Sequence, residues 1–229
     1  MENSSTKPVL IFDMDGTLIE SNPTHKEAYK QFLKRYDIDL TEEDFMNHIS
    51  GRMNPDVLKH FFGDDITPER IQELTKEKET LFQELYAPEI KPIEGLIHFL
   101  NTVREAGFLM VLATSAPMMN VRFVFDHIPI EQFFTGIVSE EDVEVGKPDP
   151  TVFRLAAERV LSTPDQCLVF EDSQPGVQAA HDAGMKVVVL TTTHTPDELG
   201  DADLVIGDYT QVSVAHLRQI MQQATMQSE

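Results

Sequence analysis

At 229 residues, the chain is long enough for one large domain or for a domain that carries an insert. Its 39 acidic and 18 basic side chains give a net charge of −21, which argues against nucleic-acid binding by neutralisation of phosphates. No stretch of the sequence is apolar for long enough to cross a bilayer, so we expect neither a nucleic-acid partner nor a membrane partner.

Two further features bear on the cellular compartment. Residues 1–7 are polar and lack the apolar segment of a signal peptide. The only cysteine, Cys167, lies in an apolar run, which is typical of a small buried side chain and not of a nucleophile. A single cysteine also rules out an intramolecular disulfide framework. We therefore expect a cytoplasmic protein, and we expect a monomer.

The first predicted strand, residues 9–12, is followed by two carboxylates. Its apolar sequence is typical of a parallel strand buried on both faces, and Asp13, Asp15 and Gly16 come next. Ligands of open α/β sheets bind outside the carboxyl ends of strands, so both carboxylates would stand at the mouth of a site. Their oxygens suit Mg²⁺. Asp13 could then attack phosphorus, while Asp15 gives a proton to the leaving oxygen and later takes one from water.

Two other interpretations of this motif exist. An Asp-Gly pair is also common in a simple turn after a strand, and the motif alone does not decide between turn and site. A calcium-binding loop would need further ligands at alternate positions and a closing glutamate. Thr17, Leu18 and Ile19 follow instead, which excludes that loop.

Residues 20–90 contain no plausible strand. The periodicity of apolar residues predicts helices over about 22–36, 41–49, from 54 onward, and 67–85. Thr41 begins a sequence that resembles a capping box, and Pro68 follows Thr67 at a favoured first helical position. We therefore expect residues 20–90 to form an all-helical cap, inserted into a core made of residues 1–19 and 91–229.

From Ile93 onward, strands and helices alternate. Strands are predicted at about 108–113, 137–138, 167–170, 186–190 and 204–206, with helices between them, a last helix over about 211–223, and a polar tail that frays. Such alternation indicates a doubly wound parallel sheet. The predicted fold class is α/β, a Rossmann-like core with an inserted all-helical cap domain.

Polar side chains that suit a phosphate site follow the strands or turns of this core. Thr114 and Ser115 could bind phosphoryl oxygens, although they could equally cap the next helix. Lys147, in a Gly-Lys-Pro turn, could neutralise the nucleophile and the phosphoryl group, whereas elsewhere it would be an ordinary surface lysine. Glu171 and Asp172 could complete the oxygen shell of a cation, or could simply be the acidic start of a helix. Three polar clusters at three strand ends favour a common site.

Together these motifs resemble those of a known family. In order, Asp13-Met14-Asp15-Gly16-Thr17, Thr114-Ser115, Gly146-Lys147-Pro148 and Glu171-Asp172 resemble the four motifs of the haloacid dehalogenase superfamily. Residues 170–180 resemble the branch that contains β-phosphoglucomutases and small-metabolite phosphatases. The resemblance implies that Asp13 is the nucleophile, that Asp15 is the general acid and base, and that Thr114 and Lys147 hold phosphate. It also implies a Mg²⁺ site made of Asp13, the backbone carbonyl of Asp15, and Asp172, with Glu171 nearby or acting through water.

The same resemblance suggests three cap residues. It places His25 near the acid/base, Arg52 on a distal phosphate and Lys78 against the substrate. His25 could instead be a histidine on the surface of a helix. Lys78 lies in the charged run 76–79, which is typical of a solvated face.

Three functions compete on this basis. The first is a Mg²⁺-dependent phosphohydrolase for a small phosphorylated metabolite such as a sugar phosphate. The alternative is a sugar phosphomutase, but such enzymes tend to carry serine and lysine after the second motif, where this chain has Ala116-Pro117-Met118. A non-catalytic phosphate-binding regulator would lack the nucleophile or the acid, and both are present. A dehalogenase would have no need of Mg²⁺. The sequence therefore favours the phosphohydrolase.

Overall fold

The computed structural model describes residues 7–226, so most of the polar N-terminal segment and the last three residues lie outside it. Its six strands form one parallel sheet in the order β3-β2-β1-β4-β5-β6. The strands are β1 Val9–Phe12, β2 Leu109–Ala113, β3 Gly136–Val138, β4 Cys167–Glu171, β5 Lys186–Leu190 and β6 Leu204–Ile206. This sheet confirms the predicted α/β class, and each predicted strand is present within a residue of its expected bounds.

Ten α-helices accompany the sheet in the described residues. They are α1 Asn22–Lys34, α2 Glu42–Asp44, α3 Asn54–Phe62, α4 Pro68–Tyr86, α5 Leu96–Glu105, α6 Met118–His127, α7 Thr151–Arg159, α8 Gln174–Asp182, α9 Pro196–Leu199 and α10 Val214–Met226. The last helix begins three residues later than predicted, because Tyr209–Gln211 form a 3₁₀ turn first. No helix in the described part of the chain combines the length and the apolar character that crossing a membrane requires.

The central strand β1 is fully buried and divides the apolar core in two. Leu10 and Phe12 belong to one cluster of buried side chains, which also includes residues of α5 and α10. Val9 and Ile11 belong to a second cluster, with residues of α7 and α8. Alternate residues of a strand point to opposite faces of a sheet, so this division shows helices packed on both faces.

The register of the central strands sets the position of the polar residues. Phe12 lies opposite Leu112 of β2 and Phe170 of β4. One residue further on, the backbone N–H of Asp13 donates a hydrogen bond of 3.0 Å to the carbonyl of Phe170. The residues that follow β1, β2 and β4 therefore meet at one edge of the sheet.

The segment between β1 and β2 is helical, as predicted, and residues 20–90 contain no strand. Thr41 forms the capping box with Asp44, and the Thr67 hydroxyl accepts the N–H of Arg70 at the start of α4. The two ends of the segment meet where the Ile93 N–H donates to the Leu18 carbonyl at 2.9 Å. The helical content is confirmed, while the division into a core and a cap domain stays a prediction.

A second helix also differs from its prediction. The helix expected over 41–49 is a single α turn, α2, that continues as a π-helical turn over Phe45–Ile49. The N–H of Ser50 donates to the carbonyl of Phe45 at 2.9 Å, which closes the wider turn. Both Phe45 and Ile49 are buried, and an ordinary apolar periodicity does not reveal the extra residue in the turn.

Candidate active site

Three buried carboxylates lie around one buried lysine at the carboxyl edge of the sheet. Asp13, Glu171 and Asp172 each offer a carboxylate oxygen within 4.8 Å of the others. The ammonium of Lys147 lies 2.6 Å from Asp13 Oδ1 and 2.6 Å from Glu171 Oε1. Three ionised carboxylates against one ammonium leave a net negative charge in a place where water cannot screen it.

The pKa values of this cluster reflect the excess of negative charge. Burial raises the pKa of Asp13 to about 8, although Lys147 acts to lower it. Burial and the charge of Glu171 raise the pKa of Asp172 well above its ordinary value. A hard divalent cation among these oxygens would offset the charge. The donor set therefore fits the Mg²⁺ that the sequence motifs imply.

Two glycines allow the carboxylates to lie close to the backbone. A Cβ atom on Gly16, whose φ is +73°, would lie 1.9 Å from Asp172 Oδ2. A Cβ atom on Gly176 would lie 1.9 Å from Glu171 Oε1. Any larger residue would displace these oxygens, so both positions require glycine.

Further hydrogen bonds fix the acidic residue that ends β4 and the one that follows it. Glu171 Oε2 accepts the N–H groups of Asp172 and Ser173 at 2.8 and 3.0 Å and the Ser173 hydroxyl at 2.9 Å. Asp172 Oδ2 accepts the side-chain amide of Asn22 at 3.1 Å and the hydroxyl of Thr193. Neither Asn22 nor Thr193 was predicted from the sequence as a site residue. Asn22 follows the predicted start of the insert, whereas no local pattern distinguishes Thr193.

The side chain of Asp15 points away from the cluster. Its Oδ1 accepts the Ser21 hydroxyl and lies 3.1 Å from Nε2 of His25. Burial alone would raise the pKa of Asp15, but the charge and hydrogen bond of His25, with help from Ser21, bring it below its ordinary value. In this arrangement Asp15 could serve a cation only through its backbone carbonyl, as the family resemblance implies. His25 faces the site and not the surface.

Lys78 and Glu79 are buried, so the charged run 76–79 is not the solvated face that its sequence suggested. Lys78 is 2% exposed and Glu79 1%. The Lys78 ammonium lies 2.9 Å from His25 Nδ1, 3.0 Å from Glu79 Oε1, and 4.1 Å from the centre of the Tyr29 ring. The missed signal is periodicity: Lys78 falls at helical spacing with the buried Leu74 and Phe82, so it lies on the apolar face of α4.

Glu79 is a third residue of this region that was not predicted from the sequence. Its carboxylate accepts the side-chain amides of Asn54 at 2.8 Å and Asn120 at 2.7 Å. Burial would raise its pKa, but Lys78, His25 and the amide of Asn120 lower it below the ordinary value. Glu79 is therefore a buried, ionised carboxylate that joins helices far apart in the sequence.

The predicted phosphate-binding residues lie between the sheet edge and the helical segment. Thr114 is buried, and its Oγ1 accepts the N–H of Ala116 at 3.0 Å, so it also caps the following turn. The Ser115 hydroxyl donates to the Gly51 carbonyl at 3.1 Å. Arg52 Nη1 donates to the carbonyl of Lys147 at 3.3 Å, which brings the predicted cap arginine to the core.

One pocket brings most of the predicted residues together. Its lining combines side chains from the sheet edge with side chains from the helical segment. The predicted residues among them are Asp13, Asp15, His25, Arg52, Lys78, Thr114, Ser115 and Asp172. Lys147 contacts Asp13 from behind the lining, and Glu171 contacts Lys147 there.

Several proteins with similar sequences are named as phosphatases. The chain is 30% identical over 211 residues to the chloroplastic 5-amino-6-(5-phospho-D-ribitylamino)uracil phosphatase of Arabidopsis thaliana, a match that covers 92% of this chain and 57% of that protein. It is 32% identical over 181 residues to the phosphorylated carbohydrates phosphatase of Thermotoga maritima, covering 77% of this chain and 82% of that one.

The fold is also known from solved structures. The β-phosphoglucomutase from Clostridium difficile superimposes with a TM-score of 0.85, over 96% of this chain and 99% of that one, at 20% identity. At this identity the likeness concerns the fold alone. Residues 10–190 match the sequence model of the haloacid dehalogenase-like hydrolases. That match extends over most of the sheet and all the motifs described above, and the chain therefore belongs to the haloacid dehalogenase-like hydrolase family.

Proposed function

We propose that this protein is a Mg²⁺-dependent phosphohydrolase that removes phosphate from a small phosphorylated metabolite through a phosphorylated Asp13. The observation that carries the proposal is the position of Asp13, buried at the carboxyl end of β1 with the Lys147 ammonium 2.6 Å away. Relatives named as phosphatases support the reaction class, and the phosphorylated carbohydrates phosphatase supports a sugar phosphate as one substrate class.

The chemistry follows from the residues in the pocket. Thr114, Ser115 and the N–H groups after β2 would bind the phosphoryl oxygens, with Lys147 neutralising their charge. An oxygen of Asp13 attacks phosphorus, and the bond from phosphorus to the leaving oxygen breaks. The lowered pKa of Asp15 leaves it ionised in the free protein, so Asp15 would take up a proton when the substrate binds and then donate that proton to the leaving oxygen. Mg²⁺ bound by Asp13, Glu171, Asp172 and the Asp15 carbonyl would offset the repulsion between carboxylates and phosphate.

The second half of the reaction restores the enzyme. Asp15, now ionised, takes a proton from a water molecule, and the water oxygen attacks the phosphorus on Asp13. The acyl phosphate bond breaks, inorganic phosphate leaves, and Asp13 is free again. The contact of 3.1 Å between His25 Nε2 and Asp15 Oδ1 would keep the Asp15 carboxyl aimed at the pocket through both steps.

We further propose that residues 20–90 act as a cap over a core of residues 1–19 and 91–229. The pocket lining supports this division, since it draws His25, Arg52 and Lys78 from the helical segment and Thr114 from the sheet edge. Closure of such a cap would exclude water and bring its side chains to the substrate. A cytoplasmic location and a monomeric state remain predictions.

A sugar phosphomutase is the second candidate, and one observation favours it. Arg52 and Lys78 both line the pocket, so two cap cations face the residues that would bind the first phosphate. Glu79 lies 3.0 Å from Lys78, however, and offsets its charge. That pairing leaves Arg52 as the candidate for a second phosphate and favours hydrolysis.

Replacement of the nucleophile tests the proposal. Asp13→Asn should lower the release of phosphate from a panel of small phosphate esters by at least about a thousandfold, because an amide oxygen is a poor nucleophile. Asp126→Asn is the matched control, because Asp126 is exposed on α6. Thermal melts should show that both variants are folded. Undiminished turnover in the folded Asp13→Asn protein would remove Asp13 as the nucleophile.

A further inference from the structure

We propose that Asp44, His48 and His60 form a binding site for a divalent transition metal ion, such as Zn²⁺ or Ni²⁺, on the surface of the helical segment. Each residue offers one ligand atom, and these three atoms lie within 4.8 Å of one another. None of the three lines the active-site pocket. The site is therefore separate from the Asp13, Glu171 and Asp172 cluster and does not depend on the function proposed above.

The backbone brings these three side chains together from adjoining elements. Asp44 ends α2, and His48 lies four residues later in the π-helical turn. A spacing of four places two side chains on the same face of a helix. His60 comes from α3, which packs beside that turn. The site thus joins three consecutive elements of the segment, namely α2, the π-helical turn and α3.

The carboxylate of Asp44 is already oriented. Its Oδ2 accepts the N–H of Thr41 at 3.1 Å and the Thr41 hydroxyl at 2.6 Å. These bonds leave Oδ1 available to an ion. Hydrogen bonds from Thr41 also hold the pKa of Asp44 below its ordinary value, so the ligand is ionised at neutral pH. Thr41 therefore plays the part of an outer residue that orients a metal ligand.

The two histidine rings need a small rearrangement to bind one ion. They are stacked, with centroids 3.7 Å apart and planes inclined by 14°. Parallel rings cannot both direct a nitrogen lone pair at the same point. Both side chains are exposed, so one ring can rotate without disturbing the core. Bonds of about 2.1 Å would then bring the ligand atoms to roughly 3.4 Å from one another, and water would complete the shell.

The ligand chemistry selects the kind of metal. Imidazole nitrogen suits zinc, nickel, cobalt and copper, whereas Mg²⁺ prefers an all-oxygen shell. The active-site cluster consists of carboxylates, so the two sites should differ in preference. Occupancy would also restrain the turn that carries Phe45 and Ile49, and these two side chains line the active-site pocket.

Titration calorimetry with Zn²⁺ and with Ni²⁺ tests the site. Millimolar Mg²⁺ should be present throughout to compete for the carboxylate cluster. The wild-type chain should bind one equivalent of the metal ion. The double variant His48→Gln/His60→Gln should bind the metal ion at this site at least tenfold more weakly. The control double variant His98→Gln/His216→Gln changes two other exposed histidines and should bind as the wild type does. Asp44→Asn should weaken binding to a lesser degree.

A spectroscopic measurement assigns the ligands directly. On addition of Zn²⁺, the imidazole resonances of His48 and His60 should shift, while those of His98 and His216 stay in place. Melting of the metal-free variants should match the wild type, because the changed side chains are exposed. Equal stoichiometry and affinity in the His48/His60 double variant would overturn the proposal. Shifts confined to His25 would also overturn it, since the ion would then lie at the active-site pocket.

Discussion

The side-chain amide of Asn120 on α6 donates a hydrogen bond of 2.7 Å to Glu79 on α4. Asn120 belongs to the predicted core and Glu79 to the predicted cap. Gln83 Nε2 also donates to Asn120 Oδ1 at 2.9 Å. Buried polar groups thus join the two parts beside the active-site pocket, and the bond orders Glu79 without help from a substrate.

Loss of this contact should destabilise the fold. Asn120→Ala leaves the buried carboxylate of Glu79 with one donor fewer, which should lower the free energy of unfolding by about 1 to 3 kcal/mol. Urea denaturation measures the change. Asn101→Ala is the control, because the Asn101 amide makes contacts only within its own helix, where it donates to the carbonyl of Ile97 and accepts the guanidinium of Arg104. Equal stability of the two variants would show that the contact adds nothing to the fold.

The sheet and the central site were predictable because both follow from local patterns. Apolar runs marked the strands, and Asp13, Thr114 and Glu171 each lie at the carboxyl end of a strand, where parallel strands bring side chains together. Glu79 and Thr193 were not predictable in the same way. Their contacts join residues distant in the sequence, and only the packing of α4 against its neighbours or the path of the loop after β5 creates them.

Gly176 offers a test of the close packing around Glu171. Alanine in a helix is ordinarily more favourable than glycine by about 1 kcal/mol. At this position its Cβ would lie 1.9 Å from Glu171 Oε1, so the carboxylate would have to move. We expect Gly176→Ala to lower turnover by tenfold or more and to weaken Mg²⁺ binding.

Mg²⁺ titrations of activity, together with calorimetry, measure this effect. Gln178→Ala provides the control, because Gln178 is exposed on the same helix α8. A Gly176→Ala protein with normal turnover and normal metal affinity would mean that Glu171 can move without cost, and that its position is not important.

Glu140 should make stability depend on pH. Burial raises its pKa from 4.5 to about 7, with smaller contributions from Glu79 and Glu141, while the N–H of Asn54 lowers it. Between pH 4.5 and about pH 7, the carboxyl group of Glu140 is ionised in the unfolded chain and still protonated in the folded chain. The contribution of Glu140 to the free energy of unfolding is therefore fully present below pH 4.5. It is lost as the pH rises to about 7, and this loss amounts to up to about 3 kcal/mol.

The variant Glu140→Gln removes this titration. Relative to the wild type, it should become progressively more stable as the pH rises from 4.5 to 7, and the difference should then level off. Denaturation at a series of pH values measures it. Glu144→Gln changes an exposed carboxylate nearby and should show a difference that does not vary with pH. If the stability difference between Glu140→Gln and the wild type also did not vary with pH, the raised pKa of Glu140 would be contradicted.

In the proposed mechanism, the choice between hydrolysis and transfer depends on what attacks the phosphoryl group on Asp13. Water completes a hydrolase cycle, whereas a mutase must hold a sugar bisphosphate by both ends and exclude water while it turns. Arg52 lines the pocket and could bind a second phosphate, but Lys78 is already paired with Glu79 at 3.0 Å. Ala116 and Pro117 also line the pocket, where sugar phosphomutases tend to carry serine and lysine. These contacts favour water as the acceptor.

We therefore expect the protein to release inorganic phosphate from several small phosphate esters in the presence of Mg²⁺, and to isomerise β-glucose 1-phosphate slowly or not at all. Parallel assays with and without glucose 1,6-bisphosphate, each measuring free phosphate and glucose 6-phosphate, separate the two reactions. The Asp13→Asn variant supplies the blank for both products, since each reaction as proposed begins with phosphorylation of Asp13. Rapid formation of glucose 6-phosphate, stimulated by the bisphosphate and accompanied by little free phosphate, would establish the mutase. The roles proposed for Asp13 and Asp15 would stand in either case, because only the acceptor of the phosphoryl group would change.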